Sequence, residues 1–139
     1  MVIYLTGERV QQLHVLALET AGGAPGIRSE HALYSSLGQV EQAFGDEDVF
    51  PTVAEKAAAY AYYLTVNHPF VDGNKRTAAL TMETFLDLNG YEFHQTDDEI
   101  ADMFVDLAAS VVGVGEFIGW VVNHAHRNVA TAQDQRVDD

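Results

Sequence analysis

The chain contains no cysteine. Disulfides, zinc-thiolate centres and thiol chemistry are therefore excluded from these 139 residues. That absence fits a reducing compartment. Long apolar runs are missing too, and none approaches the roughly 20 residues that a membrane span needs. The opening Met1-Val-Ile-Tyr-Leu5 lacks the basic lead of a secretory signal and runs straight into polar residues. We expect a soluble, cytoplasmic protein that does not engage membranes. Positive charge is scarce: 7 Lys and Arg face 21 Asp and Glu, for a net charge of -14. Such a surface repels phosphate backbones at long range, so direct nucleic-acid binding is not expected. A basic partner would suit it, although solubility alone accounts for the excess as well.

What remains is an ordinary globular composition, 47% hydrophobic and 20% charged. The length points to a single domain, taken as residues 1–130, with a polar C-terminal tail over 131–139. Thr6 can cap a first helix in which Val10, Leu13, Leu16 and Ala17 recur at helical spacing. The Gly22–Gly26 stretch ends it. Ser29 can cap a short second helix to about Leu37, and Val40 to Phe50 reads as irregular or extended. Thr52 and Glu55 have the spacing of a capping box before an Ala- and Tyr-rich helix to about Val66. After a loop over Asn67 to Gly73, a helix over Asn74–Leu88 presents Ala78, Met82, Phe85 and Leu86 on one face, and Asn89-Gly90 stops it. Thr96 and Glu99 form a second box, opening a helix to about Val111. The last helix is expected from Glu116 to about Asn128. The sum is an all-α, compact bundle of about six helices.

One loop concentrates chemistry. His68, Asp72, Asn74, Lys75 and Arg76 fall where a helix begins. A helix N-terminus offers unpaired N–H groups and the positive end of its dipole, which suits an anion. Gly73 permits close backbone approach. Cations at this end oppose the dipole, yet two of the chain's seven stand there side by side. An anionic ligand, most simply a polyphosphate, resolves the conflict. Asp72 suits a magnesium ion shared with phosphate oxygens, and His68 is the natural proton acceptor near neutral pH. Taken singly, a loop histidine, a Lys-Arg pair or an Asp-Gly-Asn turn is usually a surface feature. Their convergence in one helix-opening loop is the signal.

The run His68-Pro-Phe-Val-Asp-Gly-Asn-Lys-Arg-Thr-Ala78 resembles the Fic-type motif in its death-on-curing (Doc) form. The Gly-rich turn ahead of it and Phe85-Leu-Asp-Leu-Asn-Gly90 behind it are similar as well. The resemblance implies a Fic/Doc-like helical fold and a transferase using ATP and Mg²⁺. Fic proteins mostly transfer AMP to a protein hydroxyl, whereas Doc toxins phosphorylate the elongation factor EF-Tu on a threonine and halt translation. By the same resemblance His68 is the general base, and Asp72 holds Mg²⁺ and positions the reacting phosphate. Gly73 and Asn74 line the phosphate cradle, Lys75 and Arg76 neutralise phosphate charge, and Phe70 is an apolar anchor. Lys75 stands where AMP-transferring motifs usually carry glycine, and no second arginine follows Arg76, which favours the Doc-type kinase. Pro69 and Gly73 are similar to the AMP-transferring form, so protein AMP-transferase is the alternative. A non-catalytic phosphate- or partner-binding module is a further one, disfavoured because such a module needs no base. No [ST]-x-x-x-E-[GN] inhibitory segment occurs. The resemblance thus implies a toxin of a toxin-antitoxin pair, restrained in trans by a Phd-like antitoxin.

Other features are weaker. On a helix, His124 and His126 would point about 200° apart and could not chelate one ion. His14, His31 and His94 show no ligand spacing. Tyr60, Tyr62 and Tyr63 read as core or groove residues. The stretch Gln39 to Pro51 is the candidate flap for docking a target chain.

Overall fold

The computed structural model describes residues 1–128. The expected tail, 131–139, lies outside them. The order is α1 (Gly7–Ala21), α2 (Glu30–Val40), β1 (Ala43–Phe44), β2 (Glu47–Asp48), α3 (Val53–Asn67), α4 (Asn74–Leu88), β3 (Tyr91–Phe93), α5 (Asp97–Ala108), α6 (Val114–His124) and β4 (Ala125–Arg127). The expected six helices are present, and two short antiparallel strand pairs join them, β1 with β2 and β3 with β4.

The bundle is built around α3. Alanine has the highest helix propensity and a small side chain. Ala57, Ala58, Ala59 and Ala61 are buried together with Tyr60 and Leu64, so this helix has almost no wet face. Its small side chains let α2, α4, α5 and α6 all pack on it. The expected apolar face of α4 is buried in full: Ala78, Met82, Phe85 and Leu86. On another side α4 carries α1. The Leu5 N–H donates to the Tyr60 hydroxyl at 3.0 Å, tying the N-terminal segment to the core. Burial pushes that phenol up to about 12.

Five expectations need correction. The last helix stops at His124 rather than about Asn128, and Ala125–Arg127 runs extended against β3. The exposed edge of Tyr91–Phe93 offers a ladder that local helix propensity could not reveal, and Phe93 packs on Trp120 with ring centroids 5.0 Å apart. His124 and His126 therefore do not share a helix: His124 bonds to the Trp120 carbonyl, and His126 lies against His94. Helix α5 ends at Ala108, before Val111, because Ser110 turns left-handed at φ 61. At Thr52 the capping box is one-sided: its hydroxyl accepts from the Glu55 N–H and then donates to the Glu55 carboxylate. The Thr96–Glu99 box is complete. Leu16, placed on the apolar face of α1 by spacing, is 44% exposed.

Lys56 fixes the β1–β2 hairpin. Its side chain is 1% exposed, and its ammonium meets the Asp48 carboxylate at 2.9 Å and the Phe50 carbonyl at 2.6 Å. Burial pulls its pKa down, but the Asp48 bond and the Tyr4 hydroxyl outweigh that and leave it raised above 10.5. A raised pKa means that the contribution is complete below the ordinary lysine value and fades as pH climbs through the folded one. Lys56→Met is expected to lower the unfolding free energy by about 1–3 kcal/mol in urea titrations. Asp48→Asn should cost less, since Asp48 is 45% exposed. Equal losses would show that the ammonium is not the organising group.

Candidate active site

Helix α3 ends at His68, which takes the left-handed conformation at φ 49 and ψ 58. Such a conformation costs a non-glycine residue about 1–2 kcal/mol, so something must hold it. Arg28 does part of this. Its guanidinium donates to the carbonyls of His68 and Asn67, at 2.5 and 2.7 Å. A cation at a helix C-terminus is also favoured by the dipole. The backbone N–H groups of Arg28 and Ser29 both donate to the Pro69 carbonyl, and the Val71 N–H donates to Gly26. The segment after the Gly-rich turn is thus a strap along the motif loop, with a bridge between Ile27 and Phe70.

Phe70 is the anchor the sequence suggested, 1% exposed. It stacks on His14 of α1 with centroids 3.9 Å apart and planes within 10°. His14 is itself buried, and its Nε2 donates to the Asp72 carbonyl at 2.8 Å. Arg28 and His14 were both missed by sequence reasoning. Neither has a motif spacing to betray it, because each acts across the chain on backbone oxygens.

Asn74 is buried and borders the cleft, but its side chain turns inward. Its Oδ1 accepts from the Phe70 N–H, and its Nδ2 donates to the Phe70 carbonyl and to His68 Nδ1, at 2.9, 2.9 and 3.0 Å. Only its backbone N–H is left for an anion. Gly73 precedes α4 at φ 74, and no side chain caps that helix. A Cβ at Gly73 would lie 3.2 Å from Leu18, so the position is tight as well as left-handed. The Thr77 N–H returns to the Gly73 carbonyl. By helix geometry the N–H groups of Asn74, Lys75 and Arg76 then have no intrahelical acceptor. Lys75 and Arg76 are exposed there and form no ion pair among the described residues.

Asp72 is exposed and doubly braced. Its Oδ2 accepts from the Ala24 N–H at 3.1 Å and its Oδ1 from the Gly73 N–H at 2.9 Å. The Ala24 bond and then the Gly73 bond hold its carboxyl below the usual value against the opposing effect of burial, with smaller help from the charges of His14 and Lys75. Each carboxylate oxygen has lone-pair capacity beyond one bond. A cation could therefore still be held, with phosphate oxygens completing its shell. No group of three or more His, Asp or Glu able to hold a metal occurs among the described residues.

His68, Asp72, Gly73, Asn74, Lys75 and Arg76 all border one cleft of about 790 Å³. That size lies within the roughly 300–1,000 Å³ of small-molecule sites. Leu16 and Thr20 of α1 form one wall, and α5 forms another. The far end is acidic, with Glu83, Asp97 and Asp98. Burial, then the Asp97 charge, pushes the Glu83 carboxyl up. Glu83 was also missed, although it follows Arg76 by seven residues and so shares its helix face. Tyr62, Tyr63 and the stretch 39–51 do not line this cleft.

Residues 4–86 match the family model described as Fic/DOC family. "Toxin Doc" of Mycolicibacterium smegmatis is 34% identical over 91 residues, covering 66% of this chain and 65% of that protein. The chain thus spans just under two thirds of that relative's length. "Protein kinase doc" of Escherichia phage P1 is 28% identical over 111 residues, covering 80% of this chain and 86% of that protein.

The Asp72 brace is testable by NMR. A lowered folded pKa means that the carboxylate supports the loop above the ordinary carboxyl range, and that this support is lost as pH falls through the folded value. The Ala24 and Gly73 amide shifts are expected to titrate together, with a midpoint below the ordinary 3.8. Asp72→Asn should abolish that titration. A midpoint at or above 3.8 would remove Asp72 as the brace.

Proposed function

The chain belongs to the Fic/DOC family, on its Doc branch, and from that membership we propose that it is a toxin kinase. It transfers the γ-phosphate of ATP to a hydroxyl of a protein target, EF-Tu in this reading, and so inhibits translation in the cytoplasm. A Phd-like antitoxin restrains it in trans. No helix among the described residues is long and apolar enough to cross a membrane.

The observation that carries this reading is the Lys75-Arg76 pair. Two exposed cations without ion-pair partners among the described residues stand on the open N-terminal turn of α4, in a cleft that also holds His68. Their repulsion by the helix dipole is relieved when an anionic ligand sits among them. Phosphoryl transfer is governed by positioning and charge stabilisation, which this inventory offers. Lys75, Arg76 and the N–H groups of the first turn of α4 hold the phosphates. His68 takes the proton of the attacking hydroxyl. A magnesium ion supplies further neutralisation of phosphate charge when bound, and Asp72 is the residue that would hold it. Pro69 and Gly73, similar to the AMP-transferring motif, favour a second reading in which AMP is the group moved.

The two separate on one assay. Purified protein is incubated with EF-Tu, Mg²⁺ and ATP labelled on either the γ- or the α-phosphate. Transfer of γ-label alone is expected, with His68→Ala reducing its rate by about 10²-fold or more. Transfer of α-label would replace the kinase reading with AMP transfer. No transfer to EF-Tu of either label would overturn the assigned target.

A further inference from the structure

The contact between His68 and Asn74 constrains where a proton can sit. His68 Nδ1 lies 3.0 Å from Asn74 Nδ2. Asn74 is 5% exposed, and its carboxamide is not free to turn over. The Phe70 N–H requires an acceptor at Oδ1, and the Phe70 carbonyl requires a donor at Nδ2. A flipped amide would set N–H against N–H and oxygen against oxygen, breaking two buried bonds. The group facing His68 Nδ1 is therefore a donor. A ring nitrogen that accepts a hydrogen bond carries no proton, so in the neutral imidazole the proton is on Nε2.

We propose that Asn74 is a positioning residue that sets the tautomer of His68, holding the neutral ring with its lone pair at Nδ1 and its proton at Nε2. A base accepts on a lone pair, and Nε2 has none in this state. The resting cleft therefore meets an N–H at the ring edge away from Asn74. For Nε2 to accept a proton, it must first release its own to water while Nδ1 takes one from water, leaving the ring neutral. The new Nδ1–H cannot face the Asn74 NH₂, so the Asn74 bond must break and the exposed ring must turn. Asn74 thus keeps the base in a non-accepting form until His68 leaves it. The catalytic consequence rests on the reading of His68 as the base, whereas the tautomer itself does not.

The test is long-range ¹H–¹⁵N NMR on the full chain with labelled histidine, at a pH where the rings are neutral and without substrate. The fold supplies two internal references. His14 donates through Nε2 to the Asp72 carbonyl, and His124 donates through Nδ1 to the Trp120 carbonyl, each at 2.8 Å. A carbonyl only accepts, so the two must show opposite tautomers. His68 is expected to match His14. In Asn74→Asp, whose carboxylate only accepts, His68 should switch to the His124 pattern while both references stay fixed. A wild-type His68 matching His124, or an unswitched His68 in a variant whose references are intact, would overturn the proposal. Should Asn74→Asp fail to fold, the wild type decides through the ¹⁵N–¹⁵N scalar coupling across the Asn74 Nδ2 to His68 Nδ1 bond. Its presence supports the proposal and its absence refutes it. Neither spectrum depends on the target or on the group transferred, so failure of the kinase reading leaves them unchanged.

Discussion

The Asn74 carboxamide closes both backbone groups of Phe70, and the arrangement of the active loop follows from that. The chain must leave α3, reverse and enter α4 within a few residues, where no helical ladder can serve the intervening amides. Phe70 lies in this reversal and is nearly inaccessible to water. A buried amide left unpaired costs about 1–3 kcal/mol, so an unserved Phe70 could not stay inside. Once served, its ring buries against His14 and contributes about 1.5–3 kcal/mol. That is comparable with the left-handed cost at His68, which the Arg28 bonds to His68 and Asn67 offset further. The strained histidine is thus held from three sides: by the anchor that follows it, by a guanidinium on its carbonyl and by an amide on its ring.

The few cations occupy specific places in a chain of net charge -14. Lys56 is buried under the β1–β2 hairpin with a carboxylate and a carbonyl. Arg28 meets the carbonyl end of α3, where the dipole welcomes it. Lys75 and Arg76 stand where the dipole opposes them. The first two placements are explained by stability. The third is not, since the pair has no ion-pair partner among the described residues and sits at the unfavourable helix end. This contrast gives the pair its functional weight, which a count of charges would not.

Much of the helix pattern was legible because it is local. Thr6, Ser29, Thr52 and Thr96 all cap the helices assigned to them, and α4 begins and ends where the motif and Asn89-Gly90 indicated. What escaped notice depends on partners distant in sequence. The β4 strand exists because β3 offers an edge, and no window of residues around His126 contains that fact. Arg28 and His14 act on the backbone oxygens of residues 40 and 58 positions away. Asn74 was legible as a motif residue, but its direction was not. Whether a side chain faces ligand or core is decided by which backbone groups a turn leaves unpaired. Here the turn left those of Phe70.

Two helix N-termini border the cleft, and only one of them can serve an anion. Helix α5 opens with Asp97, Asp98 and Glu99, and its capping box consumes donors at its start. Its dipole is met by its own carboxylates, and two of these line the cleft. Helix α4 has no acidic residue in its first turn, no side-chain cap and two cations instead. The same physical feature is therefore closed in one helix and open in the other, within a single cavity. The charge pattern favours a ligand anionic at one end entering with that end at Lys75 and Arg76 and its neutral or donor-rich end toward Glu83 and Asp97. In the proposed reading His68, which borders the cleft beside the open terminus, then meets the phosphate end. In that reading the polarity of the cleft, and not the histidine alone, determines which part of the ligand comes near His68.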